Sequence, residues 1–161
     1  MAVHPDMLAA LTSGIQSEVA SYVFYLEAAK KSSRKEFADT LHKLAGEEKK
    51  HFHLLERQYD SLIRSEKWIS TADILKEKGL PEIKEDMTSR HQELIEEVRK
   101  APNERQILDI ALRLEYEARD LFSRSALKAN TKEARETFEY LSKFEQTHVE
   151  VINRMIQKLN E

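Results

Sequence analysis

Apolar residues recur at alternating spacings of three and four along four long stretches of the chain. This spacing predicts four amphipathic helices: A over about 5–31, B over about 34–64, C over about 103–129 and D over about 131–159. Ser32-Ser33 separates helix A from helix B, and Asn130-Thr131 separates helix C from helix D. Narrow apolar stripes on helices joined by short turns are typical of an antiparallel bundle.

A polar stretch over about 65–102 links the two helix pairs. It contains Gly79-Leu80-Pro81, which breaks any helix, and a helical pattern from about Asp86 to Lys100. We find no low-complexity segment and no linker that would divide the chain. The sequence therefore predicts one all-α domain over residues 1–161, an antiparallel four-helix bundle. Its two helical hairpins are joined by a long crossover that contains a short extra helix.

Each apolar stripe is interrupted near its middle by carboxylates or imidazoles. No Lys or Arg occupies the middle of a stripe, and an ionised carboxylate in an apolar core costs several kcal/mol unless it is compensated. Four Glu side chains carry four negative charges, which two divalent metal ions would neutralise. The interrupting residues are Glu18 in helix A, Glu48 and His51 in helix B, Glu115 in helix C, and Glu145 and His148 in helix D.

The spacing of these residues indicates an internal repeat. Glu18 and Glu48 are 30 residues apart, as are Glu115 and Glu145. Each pair therefore lies ~22 Å from the turn that joins its two helices, at matching height. An offset of 97 residues relates the two halves, and other positions such as Leu44/Leu141 and Leu62/Leu159 keep it. We interpret the halves as two helical hairpins related by a pseudo-twofold axis.

Glu48-x-x-His51 and Glu145-x-x-His148 each place a carboxylate and an imidazole on one helix face. The carboxylate can bridge two metal ions while the imidazole binds one of them. Two such motifs, with one Glu from each remaining helix, form the ligand pattern of di-iron and di-manganese carboxylate bundles. A ligand set of oxygen and nitrogen without sulfur favours Fe(II) or Mn(II). We predict two iron ions per chain, with manganese as the alternative metal, against a metal-free bundle whose carboxylates are hydrated or share protons.

The remaining histidines carry weaker signals. His53 lies two residues from His51 and faces another side of the helix, so we expect it at the surface. Glu47 precedes Glu48, but Phe144 stands at its equivalent position in the other half. We therefore expect Glu47 either to support a ligand or to face solvent. Three further histidines have no partner at ligand spacing: His4, His42 and His91.

Tyr25 lies seven residues after Glu18 on the same helix face. It can pack in the core, form a hydrogen bond to a metal ligand, or take part in electron or proton transfer. We take Tyr25 as the candidate catalytic residue.

Composition narrows the classes of function. The chain has no cysteine among its 161 residues, which excludes disulfides, thiol chemistry, Cys-ligated zinc and iron–sulfur centres. A net charge of −3 gives no electrostatic case for a nucleic-acid or membrane partner. No run approaches the ~20 apolar residues of a membrane span. The first residues lack the features of a signal peptide, so we expect a cytoplasmic protein.

Four segments resemble the rubrerythrin-like branch of the ferritin-like superfamily, and the resemblance extends over helices A to D. They are Glu18-Val-Ala-Ser-Tyr-Val-Phe-Tyr25, Glu48-Lys-Lys-His51, Glu115-Tyr-Glu-Ala-Arg-Asp-Leu-Phe122 and Glu145-Gln-Thr-His148. The resemblance implies a ferritin-like bundle around a di-iron centre, with Glu48 and Glu145 bridging the irons. Glu18 and His51 would then serve one iron, and Glu115 and His148 the other.

The same resemblance implies an oxidoreductase connected with oxidative stress. It would reduce hydrogen peroxide or O2 with electrons from an external donor, such as a rubredoxin-type protein, and would form a homodimer. The donor must be separate because the chain has no cysteine with which to form a rubredoxin domain.

The chain departs from the family pattern at two further positions. Ala118 stands where rubrerythrins carry an extra Glu that takes part in redox-dependent ligand switching, and Phe122 stands where a Tyr would mirror Tyr25. Bacterioferritins share the six ligands but carry a haem-binding Met where this chain has Lys49. Two alternatives stay open: a ferroxidase that oxidises Fe(II) for storage or transfer, and a non-catalytic interaction bundle that a metal stabilises.

Overall fold

The computed structural model of the chain describes residues 5–78, 83–84, 87 and 89–160. A short 3₁₀ turn, Ser89–His91, precedes the fourth of the helices. Within the described ranges no residue belongs to a β-strand, so the all-α prediction is confirmed for that part of the chain. The helices are α1 (Pro5–Lys31), α2 (Lys35–Ser65), α3 (Thr71–Leu75), α4 (Gln92–Lys100), α5 (Glu104–Lys128) and α6 (Lys132–Leu159).

The four long helices α1, α2, α5 and α6 begin and end within one residue of the predicted helices A to D. Local capping explains two of these starts. The Asn103 side chain accepts a hydrogen bond from the N–H of Gln106 at 3.0 Å. The Thr131 hydroxyl accepts one from the N–H of Ala134 at 3.1 Å. Both contacts satisfy backbone donors that have no partner within the first helical turn.

Among its described residues, the crossover between α2 and α5 contains a helix, α3, that the sequence does not predict. Helix α3 has only five residues, which is too short for apolar periodicity to reveal. The Ser70 side chain caps this helix by accepting a hydrogen bond from the N–H of Asp73. Ile74 is the buried residue of the helix. The predicted crossover helix is present as the 3₁₀ turn and α4. Its predicted start at Asp86, the break Gly79-Leu80-Pro81, and His4 lie outside the described residues.

Two of the three apolar clusters among the described residues lie on either side of the middle of the long helices. One includes Phe24, Leu41, Leu108 and Ile152, and the other includes Leu11, Leu55, Phe122 and Phe138. Each of the four long helices contributes to both clusters. In each of these helices, the predicted ligand carboxylate lies between the residues that belong to one cluster and those that belong to the other. The apolar clusters therefore enclose a polar layer from both ends.

Polar contacts fasten the crossover to the long helices. The Gln58 side chain accepts from the N–H of Ile69 at 3.0 Å and donates to its carbonyl at 2.5 Å. Trp68 Nε1 donates to the hydroxyl of Thr137 at 2.9 Å. The ammonium of Lys31 donates to three carbonyls at the C-terminal end of α4, those of Val98, Arg99 and Ala101. Among the helices described, none has the length and apolar character that crossing a membrane requires.

Two glycines in helix interiors give a matched test of this packing. Gly46 is exposed, and an added Cβ would meet nothing within 4 Å. Gly46→Ala should raise the free energy of unfolding by about 0.5–1 kcal/mol, because alanine is the better helix former. At Gly14 an added Cβ would lie 2.9 Å from Cε1 of Phe122 and 3.1 Å from Cδ1 of Leu55. Gly14→Ala should therefore lower that free energy by about 1 kcal/mol, since overpacking outweighs the gain in propensity.

Urea denaturation of the two variants beside the wild type measures both effects. Equal stabilisation by the two substitutions would contradict the close packing of α1 against α2 and α5.

Candidate metal centre

The six predicted ligands lie together in the polar layer between the two apolar clusters. Their side chains are almost wholly buried: each of the four Glu residues is 0% exposed and each His is 1% exposed. Helices α1 and α5 each contribute one carboxylate, while α2 and α6 each contribute a carboxylate and an imidazole one turn apart. The structure thus brings into one cluster residues that are up to 130 positions apart in sequence: Glu18, Glu48, His51, Glu115, Glu145 and His148.

The cluster divides into two groups, each of which can hold a metal ion. In the first, Glu18, Glu48, His51 and Glu145 each offer one ligand atom, all within 4.8 Å of one another. Nδ1 of His51 lies 3.1 Å from Oε1 of Glu145, 3.6 Å from Oε1 of Glu18 and 3.8 Å from Oε1 of Glu48. The imidazole nitrogen therefore faces three carboxylates from three different helices.

The second group contains Glu48, Glu115, Glu145 and His148, within the same 4.8 Å limit. Nδ1 of His148 lies 2.9 Å from Oε1 of Glu48 and 3.3 Å from both Oε1 of Glu115 and Oε2 of Glu145. Glu48 and Glu145 belong to both groups. This overlap allows two metal positions that share the carboxylates of Glu48 and Glu145.

Several oxygen and nitrogen atoms of the cluster that could bind a metal ion have no hydrogen-bond partner. Both carboxylate oxygens of Glu18 and Glu48, Oε2 of Glu115 and of Glu145, and Nδ1 of His148 are buried without one. Buried polar atoms are normally hydrogen-bonded. In the described part of the chain, no Lys or Arg forms an ion pair with any of the four carboxylates. The residues therefore fit a divalent cation, which would bind these atoms and compensate their charge.

Burial dominates the electrostatics of the cluster in the metal-free protein. It raises the pKa of Glu18, Glu48 and Glu115 well above the ordinary value, and the charge of Glu145 raises these pKa values further. For Glu145 burial acts in the same direction, but hydrogen bonds from its neighbours hold its pKa well below the ordinary value. Burial alone would lower the pKa of His148, yet the surrounding carboxylates raise it. Without metal, the cluster retains protons.

Two side chains outside the six contact ligands directly. The hydroxyl of Tyr25 donates to Oε1 of Glu115 at 2.5 Å, and burial raises the pKa of Tyr25 well above its ordinary value, so this proton stays in place. Oε2 of Glu47 lies 2.6 Å from Nε2 of His148, and that contact lowers the pKa of Glu47. An ionised Glu47 places the imidazole proton on Nε2 and leaves Nδ1 free to bind a metal.

These contacts bear on the predictions for Tyr25 and Glu47. Of the two readings of Glu47, the structure supports contact with a ligand rather than a solvent-facing side chain. Tyr25 combines core packing, with its ring centroid 5.1 Å from that of Phe24, with a hydrogen bond to a ligand. Its part in electron or proton transfer stays a prediction.

The other histidines of the described ranges lie outside the cluster. Nε2 of His53 lies 3.1 Å from Oε1 of Glu77, which also accepts a hydrogen bond from Arg57. His42 is exposed and His91 is partly buried. None of the three belongs to either ligand group.

A cavity of about 380 Å³ adjoins the cluster. His51 forms part of its wall, and Ile74, from α3, lines it from the crossover side. Sequence reasoning missed this cavity because it depends on how the crossover packs on α2 and α6. The remaining lining residues are Glu47, Lys50, His53, Leu75, Glu77, Tyr140 and Phe144.

Comparison with known proteins adds no assignment to this geometry. No protein-family model matches the chain, and no match is found among curated proteins or among solved structures. The rubrerythrin resemblance therefore depends on the quoted segments alone.

The retained protons predict how the stability of the metal-free protein varies with pH. Raised pKa values at Glu18, Glu48 and Glu115 stabilise the fold below about pH 4.5, and this stabilisation is lost as the pH rises through the raised values. The lowered pKa of Glu145 has the opposite effect: its stabilisation of the fold is present above about pH 4.5 and is lost as the pH falls below that value. We expect Glu18→Gln, which is neutral at every pH, to be more stable than the wild type at pH 8. It should lose this advantage towards pH 5.

Thermal melts in chelator between pH 5 and pH 8 measure this difference. Glu36→Gln removes an exposed charge from α2 and should follow the wild type throughout. A constant difference in Tm between Glu18→Gln and the wild type would contradict the retained protons.

Proposed function

We propose that this chain is a di-iron carboxylate oxidoreductase, similar to rubrerythrin, that reduces hydrogen peroxide, or O2, with electrons from an external donor. The observation that carries the proposal is the pair of overlapping Glu/His groups that share Glu48 and Glu145. Because four buried carboxylates face one another without a Lys or Arg partner among the described residues, the cluster is suited to two divalent ions. Manganese is the alternative to iron, since the same donors suit both.

The proposed scaffold is a ferritin-like antiparallel four-helix bundle. One apolar cluster draws on the end of α1, the start of α2, the start of α5 and the end of α6, and the other draws on the opposite ends. Consecutive long helices therefore run in opposite directions within each pair. This order supports two hairpins joined by the crossover, with the ligands at matching height.

Within this site, Glu18 and His51 would hold one iron, and Glu115 and His148 the other. Glu48 and Glu145 lie within reach of both positions. When bound, two ferrous ions supply two electrons and Lewis acidity, which with two protons convert hydrogen peroxide to two molecules of water.

The protein residues keep the centre dry and correctly oriented. The apolar clusters above and below exclude bulk water, which strengthens every electrostatic interaction inside. Tyr25 orients the carboxylate of Glu115 and holds a proton on its hydroxyl beside the cluster. Glu47 fixes the imidazole of His148 through Nε2.

Ala118 distinguishes this centre from that of the rubrerythrins it resembles. Its side chain is 1% exposed and belongs to the apolar cluster of Phe122 and Phe138. A methyl group there cannot act as a ligand. We therefore propose a reaction that uses the six ligands without the exchange that an extra Glu allows.

Single-turnover oxidation separates the candidate functions. Protein loaded anaerobically with two Fe(II) per chain is mixed with peroxide or with O2, and near-ultraviolet absorption reports the ferric product. We expect oxidation by peroxide to be at least about tenfold faster than oxidation by O2, a difference of about 1.4 kcal/mol in activation free energy. Faster reaction with O2, together with consumption of Fe(II) beyond two per chain, would identify a ferroxidase. Bound iron that reacts with neither oxidant would leave only the metal-stabilised interaction bundle.

Removing a shared carboxylate should abolish metal binding and activity together. Glu48→Ala and Glu145→Ala each remove a ligand from both groups. Elemental analysis should therefore give less than one iron per chain, against two for the wild type. Glu36→Ala, an exposed position on α2, is the control and should keep both ions.

Glu48→Gln separates loss of metal from loss of fold. It keeps the volume of the side chain and removes a buried charge, so the metal-free variant should be at least as stable as the metal-free wild type. Two irons per chain in either alanine variant would contradict the proposed ligands.

A further inference from the structure

The two halves of the cluster differ in the residues that surround them. The offset of 97 residues pairs Tyr25 with Phe122 and Glu47 with Phe144. Tyr25 and Glu47 thus each have an apolar counterpart in the second half of the chain. The internal repeat preserves the six ligands but not the groups that hold them.

Both polar residues act on the same half of the cluster. Tyr25 donates a hydrogen bond to Glu115 at 2.5 Å, and Glu47 lies 2.6 Å from Nε2 of His148. Glu115 and His148 belong to the same ligand group and complete it with the two shared carboxylates. This half therefore has both of its unshared ligands held in place before any metal binds.

The other half has apolar residues at the equivalent positions. The ring of Phe144 meets that of His51 edge-on, with centroids 4.5 Å apart, and offers it no acceptor. Phe122 stacks on Phe138 at 6.5 Å and belongs to an apolar cluster. Neither oxygen of Glu18 has a hydrogen-bond partner. In the described part of the chain, the unshared ligands of this half lack supporting contacts of the kind that hold the other half.

The cavity lies beside this less supported half. Of the six ligands, only His51 lines it. Lys50, His53 and Tyr140 form other parts of its wall and give it a polar surface. Glu47 also lines the cavity, but His148, which it contacts, does not, so a small ion that enters through the cavity reaches His51 before His148.

We propose that the two metal positions are unequal. The Glu115–His148 position binds tightly and fills first, while the Glu18–His51 position binds more weakly and exchanges its ion through the cavity. This inference depends on the proposed dinuclear site. Groups that hold a metal ligand from outside change metal affinity by about 10–100-fold, and here both such groups support one position. The two dissociation constants should therefore differ by at least about tenfold.

Isothermal titration calorimetry of the metal-free protein with Co(II) measures both dissociation constants. We expect two binding steps in the wild type. His51→Ala should abolish the weaker step and His148→Ala the tighter one. Glu47→Gln should weaken the tighter step by about 10–100-fold and leave the weaker step unchanged, because His148 alone then faces a neutral amide in place of an ionised carboxylate.

The reciprocal variant tests the opposite change. Phe144→Glu places a carboxylate at the position equivalent to Glu47, where it can accept from Nε2 of His51. We expect it to tighten the weaker step, a gain of affinity that a misfolded variant could not produce. Glu36→Gln, an exposed charge on the same helix as Glu47, should leave both steps unchanged.

The outcomes separate this inference from the proposed function. If Glu47→Gln changes neither step or weakens both equally, or if His51→Ala abolishes the tighter step, the inequality is overturned while the dinuclear site stands. If the wild type takes up fewer than two Co(II) per chain, the dinuclear site itself fails and this inference fails with it.

Discussion

Four carboxylates lie together in the interior of this protein without a Lys or Arg partner among the described residues, and this arrangement constrains the rest of the structure. Transferring such charges out of water is costly, and mutual repulsion adds to the cost. In the metal-free protein the cluster responds by retaining protons, as the raised pKa values of Glu18, Glu48 and Glu115 indicate. Two divalent cations would replace those protons and satisfy the unpaired donor atoms at the same time.

The long helices and their apolar clusters make this arrangement possible. Each helix carries apolar side chains on both sides of its carboxylate, so the packing that excludes water also fixes the height of the ligands. The offset of 97 residues relates the six ligands as two sets of three, one set from each half of the chain. Divergence at Glu47/Phe144 and Tyr25/Phe122 then makes the halves chemically different without moving a ligand.

Much of this could be predicted from the sequence because the signals are local and periodic. The apolar stripes gave the four long helices, and the polar interruptions identified Glu18, His51 and their equivalents as one group. Helix α3 and the cavity could not be predicted, since a five-residue helix has no period and the cavity forms only where the crossover packs. Contact of Glu47 with His148, 101 residues away, is equally invisible to spacing within one helix.

We propose that the buried carboxylates form a dinuclear metal centre. Anomalous diffraction from crystals of the iron-loaded protein, measured at the iron absorption edge, would locate each bound iron. We expect two anomalous peaks in the polar layer, one beside Nδ1 of His51 and one beside Nδ1 of His148, with Glu48 and Glu145 contacting both. A single peak, peaks elsewhere on the chain, or no peak within the cluster would contradict this proposal.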